Sequence, residues 1–167
     1  KVKFGDTNVV KKAVEASTNA YKLWRDTTPA KRASIMFKFK QLLEENSEKI
    51  AALVSKEHGK TIEDAKGSLQ RGIEVVDFCC GITNHLKGEY ATQVGNGIDT
   101  FSMRQPLGLC AGITPFNFPV MIPLWMFPVA TSCGNSFILK PSEKDPSSSI
   151  KLVELYEKAG APPGLVN

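Results

Sequence analysis

Apolar residues in the first half of the chain recur every three or four positions, which is the spacing of one buried helix face. The first such stretch places Val10, Tyr21 and Trp24 on one side of a helix. Residues that cap helices and glycines that end them separate the stretches. The pattern predicts four amphipathic helices: about 8–25, one starting at Thr28-Pro29, one from a cap at Ser47 to Gly59, and one from Thr61 to about Leu86.

After residue 88 the pattern changes from helical spacing to short strands. Residues 89–94 and 98–104 alternate polar and apolar side chains on either side of Gly95-Asn96-Gly97. An Asn-Gly pair between two such runs predicts a β-hairpin. A projecting hairpin often pairs with another subunit, so we expect this arm to join subunits of a homo-oligomer.

The last third of the chain alternates short apolar runs with helical patterns. Buried strands are predicted at 108–113 and 136–139, with helices at about 119–131 and 146–160. Strand, helix, strand, helix is the opening of an open parallel sheet. The predicted fold class is therefore α/β, with a helical layer that precedes a parallel sheet.

Composition excludes several classes of protein. The 167 residues are 42% hydrophobic and 23% charged, as in ordinary globular proteins, and the net charge of +4 is spread along the chain. Basic pairs such as Lys31-Arg32 alternate with acidic residues, as on solvated helix faces, so we expect no nucleic-acid partner. Five prolines interrupt the apolar segment 105–133, which argues against a membrane span.

The four cysteines have neither metal-binding nor disulfide spacing. Cys79 and Cys80 are adjacent, and Cys110 and Cys133 lie in apolar segments, which indicates a reducing compartment and no metal site. Cys133 stands at a turn, as a nucleophile could, but no histidine or acid accompanies it, so a small buried residue is the simpler interpretation. The chain begins with a lysine instead of a methionine, and we expect it to be a piece of a longer protein.

Two polar motifs follow the predicted strands. Thr114-Pro115-Phe116-Asn117 follows the first strand, and Lys140-Pro141-Ser142-Glu143 follows the second. Open α/β sheets bind ligands at the carboxyl ends of their strands, where Lys140 and Glu143 could hold the hydroxyls of an adenosine ribose. A solvated turn with a local ion pair explains the same two residues equally well. No Gly-x-Gly-x-x-Gly follows the first strand to favour the ligand.

Asn117 and Arg71 each allow two interpretations. The amide of Asn117 offers two protons to an oxygen, which suits stabilisation of an oxyanion; alternatively, Asn117 caps the helix that starts near Pro119. Arg71 falls on an apolar stripe of the fourth helix with Val75 and Phe78, and we expect it to be buried. Its partner is either an internal Asp or Glu or the carboxylate of a substrate.

Longer motifs connect these residues to a known family. The segments PFNFP at 115–119 and CGNSFILKPSEKDP at 133–146 occur in the order and at the spacing found in the aldehyde dehydrogenase superfamily. Within it, the chain resembles the methylmalonate/malonate-semialdehyde dehydrogenase branch, which favours Phe before the Asn and has a segment similar to MIPLWMFP after it. Residues 57–78 fit the same branch. The resemblance spans almost the whole chain but only about the first third of a family member.

By this resemblance, Asn117 donates to the oxyanion beside a catalytic cysteine, and Arg71 binds the carboxylate of a small semialdehyde. The implied activity is NAD-dependent, CoA-acylating oxidation through a cysteine thioester, with loss of CO₂ and formation of acetyl-CoA or propionyl-CoA. None of the four cysteines matches the family's nucleophile, so this chain alone is not expected to turn over. The alternatives are a non-acylating aldehyde dehydrogenase and a short non-catalytic nucleotide-binding or assembly module.

The resemblance also implies a cofactor site. Thr114 and Phe116 line the nicotinamide side of bound NAD by backbone contact. Lys140 and Glu143 hold the adenosine ribose, with Lys144 alongside. Glu143 would repel a 2′-phosphate, which favours NAD over NADP, and coenzyme A is the implied co-substrate.

The implied architecture has three segments. They are a helical segment of the cofactor-binding domain at 1–87, an oligomerisation arm at 88–105, and the incomplete start of a Rossmann-like NAD-binding domain at 106–167. The implied assembly is a homodimer or homotetramer. The implied location is the cytoplasm in a bacterium and the mitochondrial matrix in a eukaryote.

Overall fold

The computed structural model describes residues 4–167 and confirms the predicted order of elements. In chain order the elements are α1 (Thr7–Trp24), α2 (Pro29–Glu45), α3 (Ser47–His58), α4 (Ile62–Cys80), α5 (Ile82–His85), β1 (Tyr90–Gly95), β2 (Ile98–Phe101), β3 (Leu109–Ile113), α6 (Met121–Ser132), β4 (Ser136–Lys140) and α7 (Pro146–Ala159). Within the described residues, no helix is long and apolar enough to cross a membrane.

Local capping signals set most of the helix ends. Thr28 and Thr61 each accept a hydrogen bond from the backbone amide three residues later, which starts α2 and α4. Gly59 ends α3 with a φ of +89°, a conformation that glycine adopts without strain. The prediction that Ser47 caps α3 is wrong. Asn46 holds the cap position, and its side chain donates back to a carbonyl of α2.

The fourth predicted helix is divided in two. α4 ends at Cys80, because the backbone amide of Gly81 turns back to the carbonyl of Phe78 at 3.1 Å. The short helix α5 then continues the path toward the hairpin. The continuous helix predicted from Thr61 to about Leu86 is therefore interrupted at its only glycine near the carboxyl end.

Only one of the two apolar stripes of α4 is buried. Leu69 and Ile73 belong to the core, whereas Phe78 on the second stripe is 50% exposed. Arg71 on that stripe is exposed as well. The expectation that Arg71 is buried is therefore wrong, because its side chain faces an open cavity.

The hairpin forms as predicted, although its second strand ends at Phe101 and is shorter than expected. β1 and β2 are antiparallel, and Gly95 pairs with Ile98 across the two-residue turn Asn96-Gly97. Gly97 has a φ of +70°, a conformation that glycine adopts without strain. The arm leaves apolar side chains exposed on both strands, including Tyr90, Val94, Ile98 and Phe101. Pairing of the arm with another subunit stays a prediction.

β3 and β4 form the predicted parallel pair. Their register runs from Leu109 opposite Ser136 to Ile113 opposite Lys140. Val166 adds an isolated parallel bridge to Phe137 of β4. The hydrophobic core is continuous from the helices to this sheet.

The centre of the core is an aromatic cluster of Phe39, Phe127 and Tyr156, whose ring centroids lie 5.0 to 5.9 Å apart. These rings join α2, α6 and α7, so the helical layer and the βαβα unit share apolar contacts. Tilted ring pairs of this kind add a small stabilisation to that from the burial of their apolar surface. Through Phe127 the cluster fixes the position of α6, the helix that follows Asn117.

Arg32 is a buried cation within this packing. It is 5% exposed, so the interpretation of Lys31-Arg32 as a solvated pair is wrong for Arg32. Its Nε donates to the carbonyl oxygen of Ser132 at 2.8 Å, and its Nη1 donates to that of Thr27 at 2.5 Å. Burial lowers the pKa of the guanidinium. The guanidinium therefore caps the carboxyl end of α6, where main-chain carbonyls lack hydrogen-bond partners within the helix.

Candidate active site

The two polar motifs leave one edge of the parallel sheet. Ile113 pairs with Lys140 at the carboxyl ends of β3 and β4. The backbone amide of Thr114 donates to the carbonyl oxygen of Lys140 at 3.1 Å. Since this bond joins the first residues of the two motifs, both lie where open α/β sheets bind ligands.

Asn117 stands between the sheet and α6 with its side chain exposed. The cap position of α6 is Val120, and no side chain makes a capping bond there, so the helix-cap interpretation of Asn117 is wrong. No side-chain hydrogen bond within residues 4–167 involves Asn117. Both amide protons are therefore available to a bound oxygen.

The two aromatic rings that flank Asn117 each contact a cation. Lys144 Nζ lies 4.2 Å from the ring centroid of Phe116, and Lys60 Nζ lies 3.9 Å from that of Phe118. His58 stacks on Phe116 with centroids 6.1 Å apart. These contacts attach the asparagine segment to the residues just before α4 and to Lys144, the residue after the second polar motif.

The predicted ribose residues form a local ion pair. Lys140 Nζ lies 3.3 Å from Glu143 Oε2, and both side chains are about half exposed. The pKa of Glu143 is lowered by its own backbone amide and by Lys140, so the carboxylate stays ionised. Both residues line a cavity of about 310 Å³ between β4 and the start of α1. The ion pair and a ligand site are thus compatible, because the pair is exposed toward a cavity.

Thr114 differs from the other predicted cofactor residues because it is buried. It is 4% exposed, and its Oγ1 has no hydrogen-bond partner within residues 4–167. Its backbone amide already bonds to Lys140. Its neighbour Phe116 is exposed and offers a ring face at the same sheet edge.

Arg71 opens onto a cavity of about 260 Å³ that Phe118 also lines. Within residues 4–167 no carboxylate forms an ion pair with Arg71, so the predicted internal partner is not found. Trp125 of α6 donates from Nε1 to the backbone carbonyl of Arg71 at 3.3 Å. The guanidinium therefore lies in the cavity next to the asparagine segment, unpaired and solvated.

The cysteines lack the properties of a nucleophile. Burial raises the pKa of Cys79 to about 12 and that of Cys80 to about 11. Burial also raises the pKa of Cys110 and of Cys133. A thiol with a raised pKa is protonated at neutral pH and reacts slowly. That none of these four residues is the nucleophile stays a prediction.

Sequence reasoning did not consider Asp145, the most deeply buried acid near this site. It is 1% exposed, and neither carboxylate oxygen has a hydrogen-bond partner within residues 4–167. Burial raises the pKa of this carboxyl, and the charge of nearby His58 opposes the effect in part. In the sequence, Asp145 before Pro146 resembles an ordinary solvated helix cap, so no local signal indicated burial.

All 167 residues match the sequence profile of the aldehyde dehydrogenase family. The chain belongs to this family. The predicted resemblance is thereby confirmed, and the asparagine segment, the sheet edge and the two cavities described above lie in an aldehyde dehydrogenase framework.

The similar proteins with curated names include semialdehyde dehydrogenases. The chain is 54% identical over its full length to malonate-semialdehyde dehydrogenase of Pseudomonas aeruginosa and covers 34% of that protein. It is 54% identical over 157 residues to the acylating, mitochondrial methylmalonate-semialdehyde dehydrogenase of Arabidopsis thaliana, of which it covers 26%. The chain thus spans about a third of the length of these relatives, or less.

Solved structures confirm the predicted α/β fold of the aldehyde dehydrogenase chain. A methylmalonate-semialdehyde dehydrogenase from Oceanimonas doudoroffii superimposes with a TM-score of 0.96 at 53% identity over 98% of this chain and 34% of its own. A protein described as a putative methylmalonate-semialdehyde dehydrogenase from Sinorhizobium meliloti, in complex with NAD, superimposes with a TM-score of 0.96 at 51% identity over 99% of this chain and 34% of its own.

Proposed function

We propose that the chain is the amino-terminal portion of an NAD-dependent, CoA-acylating dehydrogenase of malonate or methylmalonate semialdehyde. The full protein oxidises the aldehyde through a cysteine thioester, loses CO₂ and forms acetyl-CoA or propionyl-CoA. This chain supplies the helical segment at residues 1–87, the oligomerisation arm at 88–105 and the start of the NAD-binding domain at 106–167. The names of the relatives support the substrate class. The unbonded amide of Asn117 is the observation that carries the proposal.

Asn117 stabilises the oxyanion that forms when a thiolate adds to the aldehyde carbon. Its amide has no competing partner within the described residues, so both N–H groups can donate as negative charge develops. The rings of Phe116 and Phe118, held by Lys144 and Lys60, restrict the segment on either side. A donor that is already oriented stabilises the transition state without a cost of reorganisation.

Arg71 binds the carboxylate at the other end of the substrate. A guanidinium offers two parallel N–H groups that match a carboxylate, and within residues 4–167 Arg71 forms no ion pair, although Glu63 and Asp64 line the same cavity. The cavity of Arg71 is also lined by Phe118, the residue after Asn117. A short molecule with an aldehyde at one end and a carboxylate at the other fits this order of groups.

The residues at the sheet edge fit a bound dinucleotide. Glu143 is held ionised and can accept hydrogen bonds from vicinal ribose hydroxyls, while Lys140 and Lys144 place positive charge beside it. Thr114 and Phe116 lie at the end of the neighbouring strand, on the nicotinamide side in this proposal. NAD, when bound, accepts the hydride. The negative charge of Glu143 disfavours the 2′-phosphate of NADP.

The decisive experiment changes Asn117 to alanine in the protein expressed from the complete reading frame. Loss of one oxyanion donor lowers kcat by roughly 100- to 1,000-fold. NAD affinity, measured by fluorescence titration, stays within about twofold, because Asn117 holds no part of the ribose site. Asn84→Ala, at an exposed helical asparagine, is the matched control. A kcat of the Asn117 variant within about threefold of the parent refutes the oxyanion role.

A second experiment tests the substrate class. Arg71→Ala raises KM for malonate semialdehyde by roughly 30-fold or more, and leaves KM for propionaldehyde nearly unchanged, since only the first substrate carries a carboxylate. Equal effects on both aldehydes contradict the carboxylate role. The product distinguishes the acylating enzyme from its alternative, because detection of free acid without acyl-CoA in the presence of coenzyme A indicates a non-acylating dehydrogenase.

A further inference from the structure

Gly67 occupies an unexpected place for a glycine. It lies within α4, one turn before Arg71, and it lines the same cavity as Arg71 and Phe118. Glycine inside a helix lowers helix stability relative to alanine, because the unfolded chain gains conformational freedom. A glycine at such a position therefore needs a structural reason.

Neither packing nor backbone conformation supplies that reason. A Cβ built at Gly67 meets no heavy atom within 4 Å, and Gly67 is not among the glycines with positive φ in residues 4–167. Gly72, on the same helix, is different. A Cβ there would lie 2.5 Å from Leu124 Cδ1, so Gly72 is required where α4 packs on α6. Gly67 faces open space instead.

The open space at Gly67 is a charged cavity beside the asparagine segment. Its volume is about 260 Å³, and its lining includes the cations Lys60 and Arg71. Neither cation has a carboxylate within ion-pair distance in the portion of the chain that the structure describes; Lys60 Nζ contacts the ring of Phe118 and, at 3.5 Å, Ser68 Oγ. Two acids also belong to the lining: Glu63, whose carboxylate lies 3.8 Å from Lys66 Nζ, and Asp64. Because neither acid forms an ion pair with Arg71 or Lys60 in the described residues, the guanidinium of Arg71 can still bind an anionic group.

We propose that Gly67 is a specificity-determining residue, whose missing side chain leaves room in this cavity for the branch next to the carboxylate of a bound semialdehyde. The inference rests on the proposed function and refines its substrate class. With glycine at this position, the cavity accepts a methyl group beside the carboxylate as well as the unbranched molecule. A side chain at position 67 would occupy that room, because it projects from the helix turn that precedes Arg71.

The test uses Gly67→Ala in the full-length protein, with both semialdehydes as substrates. The melting temperature rises by about 1–2 °C, because alanine is the better helix former and meets no atom. At the same time kcat/KM for methylmalonate semialdehyde falls roughly tenfold, and that for malonate semialdehyde falls less than about threefold. A more stable but more selective enzyme is a result that a purely structural glycine does not produce.

Two control variants separate the possible causes. Glu74→Ala changes an exposed residue of α4 outside the cavity and leaves kcat/KM unchanged for both semialdehydes. Gly72→Ala lowers the melting temperature, because its Cβ overlaps Leu124. If Gly67→Ala instead lowers the melting temperature or changes the oligomer size measured by light scattering, the glycine serves packing against another surface, and the inference is wrong.

The remaining outcomes distinguish this inference from the proposed function. If Gly67→Ala alters both substrates equally or neither, the specificity role is overturned, while a raised KM in Arg71→Ala still supports the carboxylate site. If Arg71→Ala leaves KM for both semialdehydes unchanged, the proposed substrate class fails, and the specificity role fails with it.

Discussion

Replacement of Arg32 by methionine tests how a buried cation that forms no ion pair within residues 4–167 contributes to this fold. Methionine keeps the aliphatic volume of the stem and removes the guanidinium. In the parent, that group donates to the carbonyls of Ser132 and Thr27. In the variant, the Ser132 carbonyl at the end of α6 stays buried and loses its donor.

The expected loss of stability is about 3 kcal/mol. A buried hydrogen bond from a charged donor contributes about 1.5–3 kcal/mol, and this range applies to the bond to Ser132. The bond to Thr27 is partly exposed and contributes about 1 kcal/mol. The cation also interacts favourably with the carboxyl end of α6, by about 0.5 kcal/mol. The variant no longer buries the guanidinium, and the desolvation cost that it avoids offsets part of these losses. The expected value therefore lies at the low end of their combined range.

Equilibrium urea unfolding of the full-length protein, followed by tryptophan fluorescence, measures this loss. Trp24 is a suitable probe because its Nε1 donates to the carbonyl of Thr131, beside Ser132. Arg32→Lys should lose about half as much as Arg32→Met, since one ammonium cannot reach both carbonyls in the same geometry. Lys31→Met, at an exposed neighbour, is the control. A methionine variant within about 0.5 kcal/mol of the parent would refute the reasoning and show that desolvation cancels the bonds.

Three further predictions concern the sheet edge, the acid beside it and the arm. Burial holds the pKa of Asp145 above its ordinary value, so the folded protein binds the carboxyl proton more tightly than the unfolded chain does. The contribution of Asp145 to stability therefore falls as the pH rises from the ordinary aspartate pKa through the raised pKa. Asp145→Asn should therefore melt higher than the parent at about pH 7 and show a smaller decrease above about pH 4; equal pH profiles of melting temperature would contradict this. Glu143→Gln should improve the ratio of kcat/KM for NADP to that for NAD by about two- to fivefold, with Lys144→Gln as a control that should not improve it. A Cβ at Gly88 would overlap the carbonyl oxygen of Ser102, so Gly88→Ala should disrupt the base of the hairpin and yield smaller species in light scattering, whereas unchanged assembly would exclude the arm as the interface.

Features encoded by neighbouring residues were predictable from the sequence. The hairpin depends on Asn96-Gly97, which reverses the chain by itself, and the starts of α2 and α4 depend on Thr28 and Thr61, whose side chains bond to amides three residues away. The Asn117 motif was recognisable because its residues are contiguous. Element ends were less predictable: Asn46 displaced Ser47 as the cap of α3, since two helices meet there and compete for the same residues.

The exposure of the charged residues was decided only by the tertiary structure. The alternation of basic and acidic residues assigned Arg32 to solvent, and the apolar periodicity of α4 assigned Arg71 to the interior. The folded chain reverses both assignments. The reason is that Arg32 meets Ser132, 100 residues away in the chain, whereas Arg71 faces an open cavity and stays exposed. The sequence by itself thus determined the family, the order of the elements and the residues at the strand ends. Which side of each helix is covered, and so which cations are free to meet a ligand, depends on contacts between distant segments that no local pattern contains.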